Sequence, residues 1–160
     1  MRRFKKTWES PRHPWRKEVL AQEIVLLGKY GLRNKRELWK AYTILRRIRA
    51  RARKLLALTG QEREEEEKNL MNLLKRYGLI MDGGKVDDIL ALTVEDILKR
   101  RLQTILYEKK LAQSLYHARQ IIAHRKVIVG DRIIASPSYL VKKDEEDKIR
   151  IRAKRKDFGG

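Results

Sequence analysis

The sequence predicts an α+β protein: a basic helical N-terminal domain, then a small unit of two helices packed on a short, mainly antiparallel sheet. Three observations carry this. A long apolar seam at 3-4 spacing runs from Leu38 to Leu55. After residue 98 the helical pattern shortens to two brief stretches. These give way to Val127-Ile128-Val129, a Gly130-Asp131 turn and Ile133-Ile134, which reads as a tight hairpin. The expected organisation is an arm and helical domain over 1–98, the compact unit over 99–153 and a basic tail over 154–160. One hundred and sixty residues suit one domain or two small ones.

Charge bounds the function. There are 40 Lys and Arg against 21 Asp and Glu, a net charge of +19. A field of that size points to a polyanionic partner, and nucleic acid is the usual one. Residues 1–60 carry net +14, residues 61–98 net −5 and residues 99–160 net +10. Two basic blocks therefore flank an acidic insert, as expected of two binding surfaces. An acidic membrane is the competing partner. The N-terminal MRRFKK has no myristoylation pattern, and no apolar run reaches the length of a membrane span. No cysteine is present, which excludes disulfides and thiolate zinc sites. No charged start leads into an apolar signal core. A soluble, intracellular, cytoplasmic protein is expected, with no cofactor, no metal and no membrane partner.

The chain begins with an arm, WESPRHPWRKE. Pro11 and Pro14 prevent a regular helix. Arg12, Arg16 and Lys17 interleave with Trp8, His13 and Trp15, a mixture suited to lying along RNA. The tryptophans equally suit pinning the arm to its own domain. KEVLAQEIVLLGKYG reads as a helix on Val19, Leu20, Ile24 and Leu27, stopped at Gly31. Asn34 caps the next helix, with Glu37 completing a capping-box-like pair.

That helix, Lys35 to about Leu58, buries a seam of Leu38, Ala41, Leu45, Ile48, Ala52 and Leu55. Arg46, Arg47, Arg53 and Lys54 fall on the other side, while Arg49 and Arg51 flank the seam. Residues 46–58 contain no acid. A merely solvated face usually mixes both signs, so contact with phosphates is expected along a helix roughly 36 Å long. QEREEEEK, 61–68, reads as a solvated helix start or surface loop rather than a metal site. LMNLLKRYGLI is a helix ending near Gly78, MDGGK is a turn, and Thr93 with Asp96 caps a further helix.

KRRLQTILYEKKLA reads as a short helix and turn, with Leu102, Ile105 and Leu106 inward. Ser114 sits at an N-cap position. LYHARQIIAH follows as a helix with Leu115, Ala118, Ile121 and Ile122 inward. SPSYLV and KIRI are two further strand candidates. Ser114 and His117 could touch, as a nucleophile and its base must. No nearby acid orients the histidine, and the capping role explains the serine. Neither a nucleophile elbow, a phosphate-binding glycine loop nor a zinc-protease spacing occurs. No catalytic residue is assigned. Arg100, Arg101, Arg119, His124, Arg125 and Lys126 are expected to face outward and grip phosphate.

RRLQTILYEKKLAQSLYHARQIIAHRKVIVGDRIIASPSYLV resembles the S-four RNA-binding module. The marks are R-L at the start, S-x-x-x-A-R-Q-x-I in the second helix, V-x-V-G in the hairpin and P-S-Y after it. That module occurs in several families, including pseudouridine synthases and tyrosyl-tRNA synthetases. PRHPWRKEVLAQEIVLLGKYGLRNKRELWKAYTILRRIRARARKLL decides among them. It resembles the N-terminal domain of the S-four family of small-ribosomal-subunit proteins, in its archaeal and eukaryotic form. The resemblance covers most of residues 8–152. It implies a ribosomal-RNA-binding constituent of the ribosome that helps nucleate assembly of the subunit body. It also implies neighbours such as the S-five protein and a place near where messenger RNA enters. Ser114, Arg119 and Gln120 fall on the module's matching second-helix positions, and Lys126 on its loop side. In the family this helix and loop line the RNA face. The cysteine zinc site of bacterial relatives does not carry over to a chain without cysteine. The alternative is a free RNA-binding factor, for ribosome assembly or stalled ribosomes, using the same module.

Overall fold

A computed structural model describes residues 6–81 and 83–152. The Asp82 position of the expected turn and the tail expected over 154–160 lie outside them. The chain divides into two compact units, Met1–Arg100 and Arg101–Gly160.

The first unit is helical. Residues 6–16 form an arm without regular structure, as two prolines require. Helices α1 (Lys17–Lys29), α2 (Lys35–Ala57) and α3 (Gln61–Arg76) follow. Helix α1 ends in a Schellman closure. Gly31 takes φ +57°, its N–H bonds the Gly28 carbonyl, and the Leu32 N–H bonds that of Leu27. Gly78, at φ +65°, closes α3 the same way, with Leu79 reaching back to Leu74. Asn34 Oδ1 accepts the Glu37 N–H at 3.1 Å and starts α2.

Helix α2 is the organiser. No glycine or proline interrupts it, and alanine, leucine, arginine and lysine favour helix. Its buried side is the expected seam with Thr43 added, and α1, α3, α4 and α5 all pack against it. The acidic run belongs to α3, whose buried anchors, Leu70 and Leu74, lie further along. Helices α4 (Val86–Ala91) and α5 (Val94–Lys99) complete the unit. Asp96 accepts both the N–H and the hydroxyl of Thr93, as the capping motif predicts. Helix α4 was not expected. Its sequence VDDIL nearly repeats the VEDIL of α5, and Asp88 accepts the Lys85 N–H at 2.7 Å in the same manner.

The second unit holds α6 (Leu102–Glu108), α7 (Leu115–Ala123), β1 (Val127–Val129), β2 (Arg132–Ile133), α8 (Lys143–Glu146) and β3 (Ile149–Ile151). The sheet runs β2-β1-β3 and is antiparallel throughout. Ile128 pairs with Ile133 on one side and Arg150 on the other. Val127 and Val129 then point to one face, where Leu102, Leu106, Ala118 and Ile122 meet them in a single core. KIRI is the strand expected of it. SPSYLV is not a strand: it contributes only an isolated bridge between Leu140 and Arg101. Lys142 to Asp147 turns into α8 instead, begun by Glu145 accepting the Lys142 N–H.

Candidate nucleic-acid interface

The arm is fastened at one end. Trp8 packs on Trp39 with centroids 5.4 Å apart, Lys6 and Arg36 lie over the Trp8 ring, and the Glu9 N–H bonds Thr43 Oγ1 at 3.0 Å. Trp8 is therefore a pin. Trp15, 86% exposed, is not, and it stands among exposed Arg12, His13 and Arg16.

Helix α1 faces its neighbour differently from expectation. Ile24 and Val25 are exposed, and Glu23 is buried. The Glu23 carboxylate accepts from Trp39 Nε1 at 2.8 Å and pairs with Lys35 at 3.0 Å, so the acid is buried with partners. The signal was present. Counting back one heptad from Tyr30, which is buried, lands on Glu23.

Beside the buried seam of α2 runs a second stripe at 3-4-3-4 spacing: Trp39, Tyr42, Arg46, Arg49 and Arg53. It forms one wall of a groove closed by Val19, Gln22 and Glu23 of α1 and by Glu9 and Pro11 of the arm. Arg46 is exposed and ion-paired with Glu9. Arg49 is half-buried. It donates to the Leu92 carbonyl at 2.6 Å, and its Nε is buried without a hydrogen-bond partner. Burial, and secondarily the charge of Glu23, raises the Tyr42 hydroxyl above its ordinary 10.0. Arg47, Arg53 and Lys54 are exposed as predicted. Arg100 is half-buried, its guanidinium beside Gly78.

In the second unit the predicted residues part company. Arg101 does not face outward: it is 4% exposed, at the start of α6 where its backbone bridges Leu140. Arg119 is half-buried, its Nη1 directed to Gln103 Oε1 at 3.4 Å. Gln103 is itself fully buried and donates to the Leu115 carbonyl. Ser114 is a cap. Its Oγ accepts the His117 backbone N–H at 3.1 Å, while the imidazole Nδ1 accepts the Gln113 N–H. The hydroxyl and imidazole thus serve the helix start. Gln120, His124, Arg125 and Lys126 are exposed around the end of α7. Among the described residues, no cluster of three or more His, Cys, Asp or Glu could hold a metal ion, and no helix is long and apolar enough to cross a membrane.

Residues 100–147 match the S4 domain. Over 148 residues the chain is 51% identical to the small ribosomal subunit protein uS4 of Ignicoccus hospitalis, spanning 92% of this chain and 89% of that one. It is 53% identical to uS4 of Hyperthermus butylicus over 91% of this chain and 82% of that one. With uS4 of Sulfurisphaera tokodaii the identity is 51%, over 92% and 84%. The chain belongs to the uS4 family. All but the first residue of the S4 match falls within the second unit, and the uS4 likeness runs well beyond that match into the helical unit. The uS4 relationship therefore includes α2, where the sequence concentrates its acid-free run of arginines.

Proposed function

We propose that this chain is a structural, non-catalytic constituent of the small ribosomal subunit that binds ribosomal RNA directly. The observation that carries the proposal is α2, whose exposed Arg46, Arg47, Arg53 and Lys54 lie beside a seam that fixes their orientation. Arg49 joins them through the groove, and Arg12 and Arg16 through the arm. In the second unit the RNA contacts are Gln120, Arg125 and Lys126 around the end of α7. Ser114 and Arg119 shape the helix that presents them, and half-buried Arg100 adds a cation at the end of α5. Buried Arg101 has no part in the surface. In this role the protein works in the cytoplasm on the ribosome. It helps nucleate assembly of the subunit body, with a neighbour such as the S-five protein, near where messenger RNA enters.

Two measurements test the proposal. The protein should sediment with intact small subunits at one copy each; loose, substoichiometric association would favour a free assembly factor instead. Binding to small-subunit RNA should weaken steeply with salt, by about 0.7 to 0.9 in the logarithmic slope for each phosphate neutralised. Affinity flat across salt would overturn the electrostatic basis.

A further inference from the structure

We propose that the groove between the arm, α1 and α2 takes a single unpaired nucleotide of the RNA, with its base against Tyr42 and its phosphates against the arginines. This rests on the RNA-binding reading above and makes it specific. Arg46, Arg49 and Arg53 enter one groove from one stripe of α2, spread over about 10 Å of helix axis. Duplex phosphates need such cations and nothing more. The groove has more. Tyr42, 37% exposed, offers part of its ring, and Pro11 and Val19 make an apolar wall. The Tyr42 hydroxyl and the exposed Gln22 amide, both lining the groove, supply the donors and acceptors that a base edge requires. A paired base in an A-form helix hides its faces in the stack, so only an unpaired one can use an aromatic wall.

The protein already places an anion in this groove. The Glu9 carboxylate sits against Arg46, held there by the Glu9 N–H bond to Thr43 and the Trp8–Trp39 contact. A phosphate entering the groove exchanges with that carboxylate, a group of the same charge sign and hydrogen-bonding type. Arg49 lines the same groove, its guanidinium anchored on the Leu92 carbonyl.

The test compares two probes on the full chain: a single-stranded uridine oligonucleotide and a blunt RNA duplex with the same number of phosphates. Tyr42→Ala should weaken binding of the strand about tenfold while changing duplex binding by no more than about twofold. Tyr42→Phe, which keeps the ring and the fold, should hold strand affinity within about threefold of the parent. Ultraviolet crosslinking of the unmodified protein to the strand should place the adduct on the peptide containing Tyr42, an outcome independent of how the alanine variant folds. Equal loss for strand and duplex, no loss for either, or an adduct confined to other peptides would overturn the nucleotide site. Those results leave RNA binding itself intact. Failure of the unmodified protein to bind either probe would overturn both readings.

Discussion

In the first unit, cations are displayed along the body of a helix. Arg46, Arg47, Arg53 and Lys54 project from α2 because Leu45, Ile48, Ala52 and Leu55 are committed to the other side. In the second unit the arginines within or starting the helices are turned inward or half-inward: Arg101 at the start of α6 and Arg119 on α7. Exposed Arg125 and Lys126 stand just past the end of α7, and other exposed cations of this unit, such as Arg132 and Arg150, lie on its short strands. The difference follows from helix length. Twenty-three residues make more than six turns, enough for one side to be buried while another stays wet. Seven residues in a small core leave no such choice, and Leu102 through Leu106 are all buried, polar Gln103 and Thr104 included.

The largest expected effects break this comparison within α2. Leu45 is 4% exposed, so Leu45→Ala should lower stability by about 2–5 kcal/mol. RNA affinity should be near normal at temperatures where the variant is folded. Arg47→Glu with Arg53→Glu should do the opposite, changing stability by no more than about 0.5 kcal/mol and weakening RNA binding by about tenfold or more. This pair is preferable to Arg46, which is already joined to Glu9. Thermal melting and RNA affinity, measured together on each variant, decide. An arginine variant that unfolds and a leucine variant that melts normally would mean that the two sides of α2 have been exchanged.

The same contrast explains what the sequence made legible. Periodicity needs several turns to average over, and α2 supplied them: the seam, the Asn34 cap and the exposed arginines all stand where spacing puts them. It failed in α1, where a buried carboxylate occupies a seam position that an apolar-only count assigns to no one. It failed again at Arg101, which is buried where the chain bridges to Leu140, nearly forty residues away in sequence. The hairpin was legible from its turn. The fate of SPSYLV was not, because an isolated bridge and a strand share the same local residues. The groove of the first unit was also hidden. Its two walls come from separate helices, and its Trp8 pin could be told from the free Trp15 only by their contacts.

A smaller effect sharpens the comparison from the second unit. If Arg101 is a packing residue, Arg101→Met should destabilise the protein by about 1–3 kcal/mol, as loss of a buried polar group does. RNA affinity of the folded variant should fall no further than a neutral change at a buried site predicts. A drop in affinity as large as that of Arg47→Glu, without loss of stability, would return Arg101 to the binding surface.

The smallest effect is the most diagnostic, and it concerns the turn after α7. Arg125 sits at φ +54° and Lys110, after α6, at φ +56°; they are the non-glycine residues at positive φ among those described. Each occupies the position that Gly31 and Gly78 hold after α1 and α3. The closing bonds are the same: the Lys126 N–H reaches Ile121 at 3.1 Å, and the Leu111 N–H reaches Leu106 at 3.0 Å. A side chain in the left-handed region crowds its own backbone, and glycine relieves that at some cost in unfolded-chain entropy. Arg125→Gly should therefore raise stability by about 0.5–1 kcal/mol. It also deletes an exposed cation beside Lys126, so RNA affinity should fall by about twofold to tenfold, with one phosphate fewer in the salt slope. Lys110→Gly relieves the same backbone and removes the same charge at a residue outside the proposed contacts. It should match the gain in melting temperature with a smaller loss of affinity. Opposed movements of stability and binding at Arg125, and a smaller binding loss at Lys110, would show that the second unit keeps a charged side chain where its fold favours glycine because RNA is held there. Equal behaviour of the two variants would make Arg125 an ordinary helix stop.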